Sequence, residues 1–251
     1  MTCFLIFLNK FDITAAIFYN KSEVMVMTGR SRAIAIIAIV TVCCAIMAVV
    51  DGIIQPQYAV KSAVKLILFL ACPIVYSLFD KDVIIKELFV PNKKGMKIAF
   101  SLCIPVFVVI LGAYFLLKDV FDFSAVTSAL TGNVGVSREN FLFVAIYISF
   151  VNSLLEEFFF RGFAFLSLGK IVSKRVAYIF SAAAFALYHI AIMSGWFSIW
   201  VSIITVGGLF VGGLMFDFLN SKSGNIYTSW FVHMFANFAI NTIGFMLFGI
   251  I

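Results

Sequence analysis

The chain has 251 residues, of which 63% are hydrophobic and 12% charged, with a formal net charge of +6 and a mean hydropathy of +1.12. A soluble domain carries about 25% charged residues, so these figures exclude a water-soluble globule and require a lipid bilayer as partner. The positive charge arrives as short basic clusters between apolar runs, the pattern of membrane orientation rather than of a nucleic-acid groove, so no nucleic-acid partner is expected. The five cysteines, Cys3, Cys43, Cys44, Cys72 and Cys103, lie in apolar stretches without any C-x-x-C pair. That excludes zinc ribbons and thioredoxin-like chemistry and leaves them as small buried hydrophobes.

In chain order, residues 1–24 stand apart: the run Met1–Asn20 is apolar but broken by Lys10 and Asp12, with no convincing cleavage site after it. Met25 or Met27, followed by Arg30 and Arg32, is the expected true start. Seven apolar runs of spanning length follow: Ala33–Val50, Val64–Phe79, Ile98–Leu117, Phe141–Phe160, Val176–Met193, Phe197–Leu219 and Ile226–Ile250. A hydrocarbon core of about 30 Å takes about 20 helical residues, and backbone polar groups in lipid must be satisfied internally. The expected fold is therefore all-α, a polytopic transmembrane bundle. The Val64–Phe79 run is short and contains Pro73, so it is expected to kink or to extend past Lys61. The polar connection Asp119–Glu139 is read as a surface loop or a short interfacial helix. No repeat or linker divides the chain; residues 25–139 are read as N-terminal spans and residues 140–251 as a functional core. If the end before Ala33 is cytoplasmic, thirteen Lys and Arg residues fall in cytoplasmic loops and four (Lys61, Lys65, Lys118, Arg138) outside, which places the N-terminus in the cytoplasm.

Ionisable residues inside spans mark function by default, and three groups stand out. Glu156-Glu157-Phe158-Phe159-Phe160-Arg161 ends the fourth run. Glu157 and Arg161 are spaced to pair on one helical face, whereas Glu156 points elsewhere and is free to face a cavity. Phe185-Ala186-Leu187-Tyr188-His189 lies in the fifth run. His233-Met234-Phe235-Ala236-Asn237 lies in the last, with Asn241 continuing its polar stripe. Each taken alone also fits a packing or hydrogen-bonding role. Together they account for both histidines of the chain and its one adjacent Glu-Glu pair. A carboxylate, two imidazoles and an amide in one polar pocket can activate water and stabilise an oxyanion.

The ordered set E-E-x-x-x-R, F-x-x-x-H and H-x-x-x-N on successive helices resembles the signature of the CAAX-protease and bacteriocin-processing family of intramembrane proteases. Here it reads EEFFFR at Glu156–Arg161, FALYH at Phe185–His189 and HMFAN at His233–Asn237. The resemblance covers about Asn140 to Asn241. It implies peptide-bond hydrolysis within the membrane of a cell, on a peptide or protein substrate that is lipidated or membrane-embedded. It also implies roles: Glu156 as the base that activates water, assisted by His189; His233 and Asn237 as oxyanion ligands; Glu157 and Arg161 as supports; Phe185 as packing. Glutamate plus histidine can bind zinc, and the metalloprotease reading is the alternative, but the motifs contain no H-E-x-x-H and leave the ligand set undefined, so no cofactor or required metal is expected. Bacterial relatives are linked to bacteriocin processing and self-immunity. A G-x-x-x-G at Gly208 and Gly212 is read as permitting close helix approach. Two other classes use the same charges: a transporter with a proton or ion relay, and a non-catalytic scaffold or immunity protein that keeps the pocket for binding.

Overall fold

A computed structural model of the protein describes residues 28–83 and 85–251; the expected start at Met25 or Met27 and the Met1–Asn20 segment lie outside the described residues. Among the described residues every regular element is helical. Seven helices are long and apolar enough to cross a membrane: α1 (Gly29–Ile54), α2 (Tyr58–Phe79), α3 (Lys93–Leu117), α5 (Phe141–Lys170), α6 (Lys174–Ile192), α7 (Ile199–Ser223) and α8 (Tyr227–Leu247). Between α3 and α5 the polar connection forms a short helix, α4 (Ser124–Val134).

Local chemistry fixes several ends. The side chains of Thr28, Asn92 and Ser173 accept from the backbone N–H groups of Ser31, Gly95 and Val176, capping α1, α3 and α6. Gly224 closes α7 in the left-handed region, with φ 71°, and its N–H returns to the Asn220 carbonyl.

One expected extension is formed and one expected boundary is corrected, and both matter for the site. The second span starts at Tyr58, the expected extension past Lys61, so the placing of Lys61 and Lys65 in an outer loop is corrected: both are inside a helix. The fourth does not end at Phe160 but runs on to Lys170, so the Glu-Glu pair lies near the middle of a 30-residue helix. The physical reason is the same in both: each charged side chain finds a buried partner, so the charges do not terminate the spans as an unpaired charge in lipid would.

The helix ends gather at two poles. At one, Arg32 at the start of α1 pairs with Asp80 just after α2, and Lys170 at the end of α5 donates to the Asp82 carbonyl. There too Asn92, before α3, donates to the carbonyl of Ser223 at the end of α7, and the Ile226 N–H before α8 donates to the Leu88 carbonyl. At the other pole Gly52 lies 3.8 Å, by its would-be Cβ, from Ala191, joining the ends of α1 and α6. Phe141, at the start of α5, meets Phe245 edge-to-face and Phe248 at a tilt at the end of α8. Each of the seven helices therefore crosses once.

Helix α5 is the axis of the bundle: half of its apolar window is buried, against 6% for α3 and 11% for α7. The side chains that α3 and α7 turn outward, among them Val109, Leu116, Trp200 and Ile204, are apolar, as a lipid-facing surface requires. Helix α2 runs parallel to α5, because its contacts advance in step: Tyr58 with Tyr147, Lys65 with Glu156, Phe69 with Phe159, Tyr76 with Phe163.

Candidate active site

The site is built on α5, which is wound wide. Tyr147–Asn152 and Glu157–Ser167 are π-helical, with a normal α turn, Ser153–Glu156, between them. Single π turns are frequent at functional sites; an 11-residue stretch is long for this geometry. Glu157, Phe158, Phe159, Phe160 and Arg161 are all buried in it. A helix sheathed on every side by its neighbours can carry charges on more than one face, which a lipid-exposed helix cannot.

Glu156 is buried, and its two oxygens have different surroundings. Oε1 accepts from Lys65 Nζ at 2.5 Å and from Asn152 Nδ2 at 3.0 Å. Oε2 faces His233 Nε2 at 3.7 Å, too far for a direct hydrogen bond but close enough to share a water. Glu157, one residue on, points the other way. Its Oε1 accepts from His233 Nδ1 at 2.9 Å and lies 3.4 Å from Arg161 Nη1. The expected Glu157–Arg161 pair is thus formed, and it carries His233 with it. Since the carboxylate accepts the Nδ1 proton, neutral His233 presents an unprotonated Nε2 to Glu156.

Arg161 is fully buried and spreads over aromatic rings, its Cζ lying 4.0 Å from the Phe185 centroid and 5.0 Å from that of Phe216. Phe185 is therefore a packing partner of the guanidinium. Asp217 completes the group: Oδ1 lies 3.7 Å from Arg161 Nε and accepts from Ser181 Oγ at 2.9 Å.

His189 is half-buried and its Nδ1 donates to the Phe185 carbonyl at 2.7 Å, which leaves Nε2 as the free nitrogen of the neutral ring. Both histidines interact electrostatically with Glu156. Asn237 donates to the Ile148 carbonyl at 3.2 Å, using one of its two amide hydrogens, and Asn241 donates to Ala145 and Ser149. The structure thus gathers Glu156, Glu157, His233 and Arg161 into one contiguous cluster, sets His189 beside it, and ties Asn237 to the π-helical backbone of α5.

Sequence reasoning missed three residues of this cluster: Lys65, Asn152 and Asp217. It drew attention to intramembrane charge in three helices, whereas Asp51, Lys61, Lys65 and Asp217 also lie in spans. The available signal was charge balance, since a buried Glu156 demands a cation and Arg161 is spaced for Glu157. Among the described residues no three His, Cys, Asp or Glu side chains converge as a metal-ligand set.

A polytopic bundle with paired carboxylates and imidazoles at its centre is an arrangement suited to hydrolysis inside a membrane. Residues 138–239 match the family described as type II CAAX prenyl endopeptidase Rce1-like. This bears out the resemblance carried by the three motifs: over these residues the chain is similar to the CAAX-protease group, which points to a CAAX-type intramembrane protease. No curated protein and no solved structure matches the chain.

Proposed function

We propose that the protein is an intramembrane endopeptidase that hydrolyses a peptide bond with water activated by Glu156. The observation that carries this reading is the facing pair Glu156 Oε2 and His233 Nε2, 3.7 Å apart and backed on one side by Lys65 and on the other by Glu157. Both atoms are acceptors when His233 is neutral, so a water donating to each is oriented with its oxygen lone pair turned away from them. Its oxygen attacks the scissile carbonyl carbon as Glu156 takes a proton. The carbonyl π electrons move to oxygen, and the second amide hydrogen of Asn237 is a candidate donor for that oxyanion, with an imidazolium N–H as its counterpart. Collapse of the intermediate breaks the C–N bond, and the proton held by the Glu156–His233 pair goes to the departing amine. His189, with Nε2 free, is the second proton acceptor. Glu157 and Arg161 hold His233 in the required tautomer.

The substrate is a peptide or protein that reaches the bilayer interior, lipidated or membrane-embedded. The expected location is a cell membrane, with the basic pole in the cytoplasm. The test is cleavage of a fluorogenic peptide library, with and without a C-terminal lipid, by the purified protein in nanodiscs. Glu156→Gln and His233→Ala should each lower kcat by at least about 100-fold, while a chelator should leave it unchanged. Cleavage that survives Glu156→Gln would sink the reading, and cleavage abolished by a chelator would turn the same carboxylate and imidazoles into metal ligands.

A further inference from the structure

Lys65 lies outside the family-matched segment and outside every motif, yet it is the nearest charged group to Glu156. Resting on the reading above, we propose that Lys65 is a positioning residue for Glu156: it fixes Oε1, supplies the compensating charge, and leaves Oε2 as the carboxylate face that water can use.

The ammonium is buried and two of its three donors are hydrogen-bonded. Nζ donates to Glu156 Oε1 and to Asn152 Oδ1, each at 2.5 Å, and lies over the Tyr188 ring at 4.9 Å from its centroid. Asn152 in turn donates to the same Oε1 at 3.0 Å, so the three residues form a closed triangle. A lysine stem in a span ordinarily snorkels its charge to the interface; this one turns inward. The register of α2 against α5 explains why. Lys65 and Glu156 lie the same number of residues before the ends of their helices at Phe79 and Lys170. The Tyr58–Tyr147 and Phe69–Phe159 contacts on either side hold the two helices in that register.

Desolvating a carboxylate is expensive, and an opposite charge within hydrogen-bonding distance offsets it. Without Lys65 the neutral acid form of Glu156 is favoured and Oε1 loses its anchor, so the carboxylate can swing and Oε2 no longer faces His233. A displacement of about 1 Å at a catalytic group lowers turnover by about 100-fold. The effect should fall on kcat, because Lys65 contacts Glu156 rather than the substrate. It follows that the matched segment does not hold the complete site, since one of its supports comes from the N-terminal half.

The experiment compares wild type, Lys65→Met, Lys65→Arg and the exchange variant Lys65→Glu with Glu156→Lys. Two readouts are taken on full-length protein in nanodiscs: peptide cleavage, and labelling of Glu156 by dicyclohexylcarbodiimide, which modifies protonated carboxyl groups in apolar surroundings. Lys65→Met should lose about 100-fold in kcat at little-changed KM and become labelled at Glu156 at neutral pH, where wild type is not. Lys65→Arg keeps the charge but not the compact ammonium, so it should leave Glu156 unlabelled and retain more kcat than Lys65→Met without reaching wild type. The exchange variant should stay monodisperse and inactive, which separates folding from positioning if Lys65→Met aggregates. Unchanged kcat together with an unlabelled Glu156 in Lys65→Met would overturn the proposal and leave the protease reading intact. If Glu156→Gln has no effect on cleavage, the protease reading falls, and labelling alone then judges the pairing: label in Lys65→Met supports it, no label overturns it.

Discussion

His233 is held by a buried carboxylate on α5. Glu157 Oε1 accepts a hydrogen bond from His233 Nδ1 at 2.9 Å and lies 3.4 Å from Arg161 Nη1, with Arg161 fully buried. Truncation to Glu157→Ala leaves the guanidinium with Asp217 at 3.7 Å as its remaining counter-charge. Breaking one partner of a buried pair costs about 3–5 kcal/mol, so thermal unfolding in detergent should register a loss in that range. Glu157→Gln keeps an acceptor for Nδ1 and should retain more activity than Glu157→Ala, which a kcat comparison on folded protein checks. Glu156, Glu157, Arg161 and both histidines were legible in the sequence because ionisable residues are scarce in apolar runs and spacing tells which can pair. Lys65, Asn152 and Asp217 were not, because their partners lie on other helices, and no spacing along one helix encodes the register between two. Lys65 was further disguised by proximity to a presumed helix end, where a lysine ordinarily belongs to the interface.

The glycines of α7 show the same limit between helices. The G-x-x-x-G at Gly208 and Gly212 was expected to mark close approach, but neither has an atom within 4 Å of where a Cβ would stand. Gly213 makes the contact instead: a Cβ there would lie 3.0 Å from the Ala182 backbone on α6 and 3.4 Å from Arg161 Nη2. The spacing identifies a small-residue face but not which way the helix is turned. Gly213→Leu should therefore destabilise by about 1–3 kcal/mol through overpacking, while Gly208→Leu stays within about 0.5 kcal/mol of wild type, both read from detergent unfolding midpoints. Helices α1 and α2 are clasped at their common pole by Arg32, whose Nε lies 2.7 Å from Asp80 Oδ2, with Tyr76 donating to the same oxygen. Burial alone would raise the Asp80 pKa, but the hydrogen bonds from Arg32, Tyr76 and the Asp82 backbone outweigh it and hold the carboxyl below its usual range. A depressed carboxylate stabilises the fold above the unfolded pKa of about 3.9 and loses that contribution as pH falls through its folded value. Asp80→Asn should thus lower stability by about 1–3 kcal/mol at neutral pH, and the gap to wild type should close progressively below about pH 4.

Across the whole molecule, the poles decide how the site meets the bilayer. Seven spans were legible from hydropathy because lipid imposes length and apolarity on each one separately. The pairing of helix ends was not, because it depends on packing. Once Lys65 and Arg161 are recognised as buried, the other basic residues among the described ones polarise cleanly. Arg30, Arg32, Lys81, Lys86, Lys93, Lys94, Lys97, Lys170, Lys174, Arg175 and Lys222 lie at the pole where α1 begins, and Lys61, Lys118 and Arg138 at the other. Removing two intramembrane charges from the count leaves the bias standing, so the basic pole is expected in the cytoplasm. Ser128 on α4 and Lys222 on α7 are exposed at opposite poles and report on this directly. Ser128→Cys should react with a membrane-impermeant maleimide in intact cells, above the background of the native cysteines. Lys222→Cys should react only after permeabilisation, and the opposite pattern would invert the orientation. The outcome also fixes the depth of the chemistry: Glu156 stands 14 residues from the Lys170 end of α5, at most about 21 Å at the α-helical rise of about 1.5 Å per residue and less because Glu157–Ser167 is wound wide. A substrate arriving from the cytoplasm would have to descend that far before meeting the carboxylate, which an apolar anchor or a membrane-embedded segment does at little cost and a soluble peptide does not.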